Sequence, residues 1–319
     1  MLYLGRDMKG QRILTIIGPT ASGKTTLAVK VAKELDAEII GLDSRQIYKG
    51  MAIGTAQPSK LEMNGVKHHL ISCLEPSVAI SAGEYSRKVY QKIEEVEQKG
   101  KLPILCGGAG LYYRALVKGL FEHSSSNIKI RKDIEADYDH SPKSLLEKLQ
   151  MIDPEYSKIV HINNKQRLVR ALEIHQITGV SPSDHFKNQE KNRGPFLNTY
   201  SIYLKWDRVE LQKRIISRTK KMIMNGWVDE TKKLVKKQDA EKKVYPALNS
   251  IGYQQIDLFL NGQKTLGQLE EAIIINTRQY AKRQAQWFKK ERIDLVVEMK
   301  KIKLSNLSEI ISCIIKSLQ

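Results

Sequence analysis

Gly18-Pro19-Thr20-Ala21-Ser22-Gly23-Lys24-Thr25 follows the pattern G-x-x-x-x-G-K-[ST]. Such a loop turns backbone N–H groups and the positive end of a helix toward phosphate. Lys24 would reach the phosphate oxygens as a point charge, and the Thr25 hydroxyl would help to hold Mg²⁺. The pattern specifies a polyphosphate and leaves open which one. Asp43 ends a second apolar run that begins at Ala37. In open parallel sheets chemistry gathers at the carboxyl ends of strands, so Asp43-Ser44-Arg45-Gln46 is expected to face whatever the loop holds. A third run, Leu102 to Cys106, ends in Gly107-Gly108-Ala109-Gly110. A motor or helicase would be expected to end such a strand in paired carboxylates. Glycine there lets backbone approach a ligand, which points to group transfer and away from an ATP-driven machine.

The elements that position these residues follow from pattern. Ile13 to Ile17 reads as a buried parallel strand, and Leu27, Val31 and Leu35 mark one face of the helix after the loop. Lys49 to Pro58 reads as an irregular functional loop. His68-His69 has no partner at metal-ligand spacing and suits hydrogen bonding or packing. Ser81 and Glu84 form a capping box that opens a helix stopped by Gly100. From Gly119 the texture changes. Ser124 to Asn127 is a polar linker, Arg131 to Gly179 is helical in pattern, and Ser181 to Asn198 reads as a mobile loop. Residues 119–198 are therefore expected as a helical insertion in a core made of 12–118 and 199–319. Strand character returns at Thr199 to Leu204. Lys- and Arg-rich helices follow, with Arg214 and Arg218 four apart on one face. A helix from Leu269 to about Lys290 carries Arg278, Lys282 and Lys289 with Tyr280 and Trp287 nearby, a mixture that suits RNA backbone and stacked bases. Ile293 to Val297 is the expected last strand, and Met1 to Arg12 reads as a loose leader.

The chain has 319 residues and a net charge of +18, more basic than a small-metabolite enzyme needs. A polyanionic partner explains that excess, because neutralising phosphates releases counterions. No apolar run reaches the roughly 20 residues that span a bilayer. Cys73, Cys106 and Cys313 are too scattered for a disulfide framework or a zinc site, which makes a reducing cytoplasm the default.

Together these parts suit transfer of a group from a diphosphate ester onto a nucleic-acid base, with the diphosphate as leaving group. Lys24, loop amides, Mg²⁺ and further arginines would stabilise its developing charge. An adenine amine is a poor nucleophile, and a carboxylate at the position of Asp43 could take its proton. A small-molecule kinase shares the loop, the Asp after the second strand and the glycine-ended third. It leaves the basic insertion unexplained. A prenyltransferase acting on free adenine nucleotide, and an RNA-binding protein with a degenerate loop, are further alternatives. The insertion argues against the former, and the intact Lys24, Thr25 and Asp43 against the latter.

Several motifs occur in one order: residues 18–25, Asp43 to Tyr48, Ile53-Gly54-Thr55-Ala56, His68-His69-Leu70, Gly107 to Tyr112, Arg170-Ala171-Leu172-Glu173, and Asn276 to Gln284. Together they resemble the tRNA dimethylallyltransferase family, also called tRNA isopentenyltransferase, from about Ile13 to Phe288. The resemblance implies an α/β fold, a P-loop NTPase-like parallel sheet core with a mostly helical insertion domain. It implies transfer of a dimethylallyl group from dimethylallyl diphosphate to N6 of the adenosine 3′-adjacent to a tRNA anticodon, with Mg²⁺ as cofactor. A cytoplasmic monomer is expected.

By the same resemblance, Asp43, Arg131 and Lys24 are the expected catalytic residues. Gly18 to Thr25, with Arg214 and Arg218, would hold the diphosphate, and Thr25 the metal. Asp43, Ser44, Arg45, Gln46, Ala109, Arg131, Gln166, Arg167, Leu168, Val169, Arg170, Arg278 and Lys282 are expected along the tRNA. Ala109 stands where the family usually has Thr, so a hydroxyl near the reacting groups is missing.

Overall fold

The computed structural model describes residues 12–119, 127–191, 196–300 and 302–317. The expected leader up to Gln11 and the serines of the expected linker at 124–126 lie outside them. In chain order the elements are β1 (Ile13–Ile17), α1 (Lys24–Glu34), β2 (Ala37–Leu42), α2 (Lys60–Met63), β3 (His68–His69), α3 (Ala82–Glu97), β4 (Leu102–Gly107) and α4 (Gly110–Lys118). Then come α5 (Ile128–His140), α6 (Pro142–Ile152), α7 (Pro154–Ser157), α8 (Lys165–Thr178) and α9 (Pro182–Lys191). The chain continues with β5 (Thr199–Lys205), α10 (Arg208–Met224), α11 (Trp227–Glu241), α12 (Tyr253–Leu260), α13 (Leu266–Phe288), β6 (Leu295–Glu298) and α14 (Leu304–Ser317). These elements fall into two compact units, residues 1–117 with 197–319, and residues 118–196.

In the first unit the strands form one parallel sheet in the order β3-β2-β4-β1-β5-β6. Every residue of β1 and β2 is buried, as expected for parallel strands covered on both faces. The pleat sorts their side chains by alternation. Ile13, Ile17, Ile40, Leu42 and Leu105 join Tyr85, Val89 and Ile93 of α3 and Leu269, Ile273 and Phe288 of α13 in one core. Leu14, Ile16, Ile39, Ile104 and Ile202 face the other way. They meet Leu27 and Val31 of α1 and Leu307, Ile311 and Ile315 of α14. The result is three layers, helix on sheet on helix, with the ends of β1, β2, β4 and β5 all at one edge.

Three elements depart from expectation. The short edge strand β3 and the closing helix α14 were not foreseen, and α9 replaces most of the expected mobile loop after Ser181. His69 pairs with the buried Glu38 at 2.6 Å, a packing role as its lack of metal partners implied. Among the described residues of the second unit every regular element is a helix. Its helices start on polar caps at Asn127, Ser141, Asp153 and Asn164, two of them with proline just inside. Ile134, Leu145, Leu149, Leu168, Val169 and Leu172 form its core.

The glycine that ends β4 is required by sheet spacing. A Cβ on Gly107 would fall inside the Leu42 carbonyl of β2, its ladder partner. Gly107→Ala should therefore cost on the order of 3 kcal/mol, read as a lowered Tm and reduced soluble yield. An unchanged melting curve would show that the sheet end adjusts freely.

Candidate active site

The phosphate loop leaves β1 with Gly18 and enters α1 through Gly23, whose φ of 90° suits glycine. Ala21, at the top of the loop, also has a positive φ of 63°. Gly23 gives α1 no side-chain cap, so the N–H groups of its first turn point into the loop. The loop's carbonyls have donors of their own. Lys24 Nζ donates to Pro19 O at 2.7 Å and lies 3.5 Å from Ser22 Oγ. Arg214 Nε donates to Ala21 O at 2.7 Å while its guanidinium lies over the Trp206 ring at 4.4 Å. The Trp206 indole N–H donates to Ser22 O at 2.9 Å. Arg218, one turn along α10, donates to Thr20 Oγ1 at 3.2 Å. Thus the two arginines expected at the diphosphate do meet at the loop, brought there by α10 as it follows β5.

Burial, with the neighbouring Arg218 charge, pulls the Lys24 ammonium down to about 8 against the opposing pull of Cys106 and Asp43. Burial also lowers Arg218, opposed by the negative charge of Asp43. Cys106, beneath the loop on β4, is raised by burial to about 11, which keeps it a neutral thiol. Lys24, Arg218, Cys106 and Asp43 thus share one electrostatic neighbourhood.

Asp43 follows the last residue of β2. Its Oδ1 accepts from the N–H groups of Arg45 at 2.8 Å and Gln46 at 3.3 Å, so a tight turn fixes the carboxylate. Its own N–H donates to the Tyr85 hydroxyl at 3.3 Å, and that hydroxyl donates to Gly41 O at 2.6 Å. Tyr85 is fully buried, stacked on Tyr112 with centroids 4.3 Å apart. On α13, burial raises the Tyr280 phenol, and the charge of Asp43 adds to that rise.

Other expected site residues have different positions. Gln46 gives its amide to the carbonyls of Thr55 and Ala56, and Glu230 accepts from the N–H groups of Ile53 and Gly54, so the 49–58 loop is tied down. Arg45 reaches the Asn249 carbonyl at 3.4 Å, and Ser44 is half-buried beside Asp43. Ala109 is buried, and its N–H donates to Leu42 O. Its methyl packs into the core beside α3 and α13. Leu168 and Val169, at 0% and 1% exposure, belong to the core of the second unit and position α8. Around them, Gln166 and Arg167 are exposed and Arg170 bonds Glu173 at 2.7 Å. Arg131 lies 3.5 Å from Glu135 on α5. Along α13, Lys282 is exposed and Arg278 half-buried, whereas Trp287 packs under Arg114 at 4.4 Å.

Sequence reasoning passed over Tyr85, Trp206, Glu230 and Gln284. Two of them carried a signal. Tyr85 and Gln284 sit on the buried stripes of α3 and α13, where a polar tip needs a partner.

A parallel sheet with a phosphate loop after its first strand, arginines from a following helix and a fixed carboxylate on a neighbouring strand end define a phosphate-loop group-transfer enzyme. Residues 46–291 match the family described as IPP transferase, and the chain belongs to that family. The tRNA dimethylallyltransferase of Bacillus licheniformis is 40% identical over 281 residues, 88% of each chain. The crystal structure of the full-length tRNA isopentenylpyrophosphate transferase from Bacillus halodurans is 34% identical, with a TM-score of 0.70 over 97% of this chain and 96% of that one. A eukaryotic dimethylallyltransferase captured acting on tRNA is 27% identical, with a TM-score of 0.78 over 90% and 74%.

The depressed Lys24 makes anion binding pH-dependent. Lys24 is charged below about 8 and neutral above, and only the charged form attracts phosphate. Titration with inorganic pyrophosphate should therefore show affinity falling as pH rises through 8. The comparison is with Lys24→Arg, which stays charged, so that the ligand's own ionisation cancels. Parallel profiles for the two proteins would remove Lys24 as the group responsible.

Proposed function

We infer that this chain is a tRNA dimethylallyltransferase. It moves a dimethylallyl group from dimethylallyl diphosphate to N6 of the adenosine 3′-adjacent to a tRNA anticodon and releases diphosphate. The observation that carries the reading is the pairing of a cation-lined phosphate loop with a fixed carboxylate on the neighbouring strand end, in a chain whose relatives carry that name. Those relatives support tRNA prenylation and lend nothing to the small-molecule kinase.

The bond between the allylic carbon and the diphosphate oxygen breaks as the bond from carbon to N6 forms. Loop amides, Lys24, Arg214 and Arg218 hold the leaving diphosphate and its electron pair, stabilising charge as it develops. Asp43 accepts the proton that N6 gives up, a general-base contribution of roughly 10²- to 10⁴-fold. The turn through Arg45 and Gln46, with Tyr85 behind it, keeps that carboxylate aimed. For Mg²⁺ the protein offers the Thr25 hydroxyl at the head of α1, and no cluster of three His, Cys, Asp or Glu exists among the described residues. That donor set fits an ion held mainly by substrate phosphate oxygens and water. When bound, the ion would neutralise diphosphate charge.

Arg131, Gln166, Arg167 and Arg170 of the insertion, and Arg278 and Lys282 of α13, are proposed tRNA contacts. The exposed first turn of α8 supports this for Gln166 and Arg167, since helix N-termini with arginine attract phosphate. No helix among the described residues is long and apolar enough to cross a membrane, and the cysteines are free. Both suit a cytoplasmic enzyme. A monomer is proposed as the working unit.

The function is tested by transfer of labelled prenyl from dimethylallyl diphosphate to unmodified tRNA and to free AMP, with and without Mg²⁺. Label on tRNA alone is expected. Label on AMP, or ATP consumption with no label, would replace the reading. In the same assay Asp43→Asn, which keeps its turn, should bind tRNA normally and lose at least about 10² in turnover. A second expectation concerns salt. Lys282→Ala should weaken tRNA binding and flatten the slope of log K against log salt by about 0.7 to 0.9. An unchanged slope would place Lys282 off the RNA.

A further inference from the structure

Gln284 is a polar residue where helical spacing calls for an apolar one. It lies on the inner face of α13 with Ile273, Ala281 and Phe288, and it is 6% exposed. Its carboxamide is used at both ends. Oε1 accepts from the Thr20 N–H of the phosphate loop at 2.8 Å, and Nε2 donates to the Gly108 carbonyl at 2.9 Å. Only this orientation of the amide satisfies an N–H on one side and a C=O on the other. The glycine turn is shaped to admit it. A Cβ on Gly108 would collide with Nε2 and lie 2.9 Å from the Gly18 carbonyl. One turn further along α13, Trp287 fills the space that a side chain on Gly110 would need.

We propose that Gln284 is a positioning residue of the diphosphate site: it clamps the phosphate loop to the glycine turn after β4 and so sets affinity for the diphosphate. The clamp acts through Thr20. With its N–H held, Thr20 presents its hydroxyl to Arg218 while the Ser22 N–H closes the loop on Pro19 O, which leaves the amides at the head of α1 for the ligand. The inference rests on the transferase reading of the site.

The clamp separates diphosphate from tRNA. The two long-range bonds of Gln284 reach the loop and the turn, and its third partner, Tyr280, lies on its own helix, so losing the long-range bonds should act on one substrate. Leaving two buried polar groups unmade is worth about tenfold or more in an equilibrium constant. Gln284→Met keeps volume and removes both bonds. It should raise KM for dimethylallyl diphosphate, and the dissociation constant of inorganic pyrophosphate, by about tenfold, with the tRNA dissociation constant unchanged. Gln284→Glu keeps the acceptor for Thr20 but sets a carboxylate against the Gly108 carbonyl. Its affinity for pyrophosphate, taken relative to wild type, should recover as pH falls, because a protonated carboxyl again donates to that carbonyl. Wild-type pyrophosphate affinity in Gln284→Met, or equal loss of tRNA and pyrophosphate binding, overturns the inference alone. So does a Gln284→Glu deficit that is flat with pH, which also decides the matter if the Met variant fails to fold. A wild-type protein that binds no pyrophosphate overturns the reading of the loop as well.

Discussion

A loop that binds an anion through its N–H groups must first dispose of its C=O groups. Peptide carbonyls aimed at a diphosphate would cancel the field of the amides. Here each of three loop carbonyls has a dedicated donor: Lys24 for Pro19, Arg214 for Ala21 and the Trp206 indole for Ser22. Two of those donors come from the end of β5 and from α10. The sheet order makes that possible, since β1 lies between β4 and β5. Arg214 does two jobs, holding a carbonyl with Nε while its flat face rests on Trp206. A lysine there would lack the planar fork for both.

The arrangement is electrostatically tense before substrate arrives. Three cations crowd one short loop, and burial already lowers Lys24 and Arg218. Ala21 adds a left-handed backbone that an L-residue adopts at some cost. Such features persist where surrounding contacts over-determine them, as the three donors do here. A diphosphate relieves the repulsion on entry, so the same crowding that opposes folding favours binding of a dianion or more. Asp43 already supplies part of the counter-charge to Lys24 and Arg218.

Much of this was legible in the chain. Continuous apolar runs ending in the loop, in Asp43 and in the glycines identified the three central strands, because parallel strands buried on both faces need such runs. The capping box at Ser81 and Glu84 located the start of α3 to the residue. What escaped was set by tertiary context. The strand at His68 and His69 is two residues long and exists only through pairing with β2. The Leu307, Ile311 and Ile315 stripe of α14 has helical spacing, but what makes it necessary is the uncovered sheet face beside α1. A run of consecutive residues reads as one segment, but a helix divides it between faces, so Leu168 and Val169 are buried while Gln166 and Arg167 are exposed. Ala109 likewise sits in a functional turn yet points into the core.

The proposed reaction has two demands, deprotonating the acceptor and accepting the leaving group, and the fold supports Asp43 and the phosphate loop separately. Asp43 is held by its own turn and by Tyr85 of α3, whereas the loop is held by α10, Trp206 and Gln284 of α13. The two supports meet where Leu42 and Gly107 pair, since Asp43 follows one and the turn gripped by Gln284 follows the other. That junction tolerates no side chain at Gly107 and none at Gly108. The glycines therefore serve the spacing between base and leaving-group site more directly than they serve any ligand.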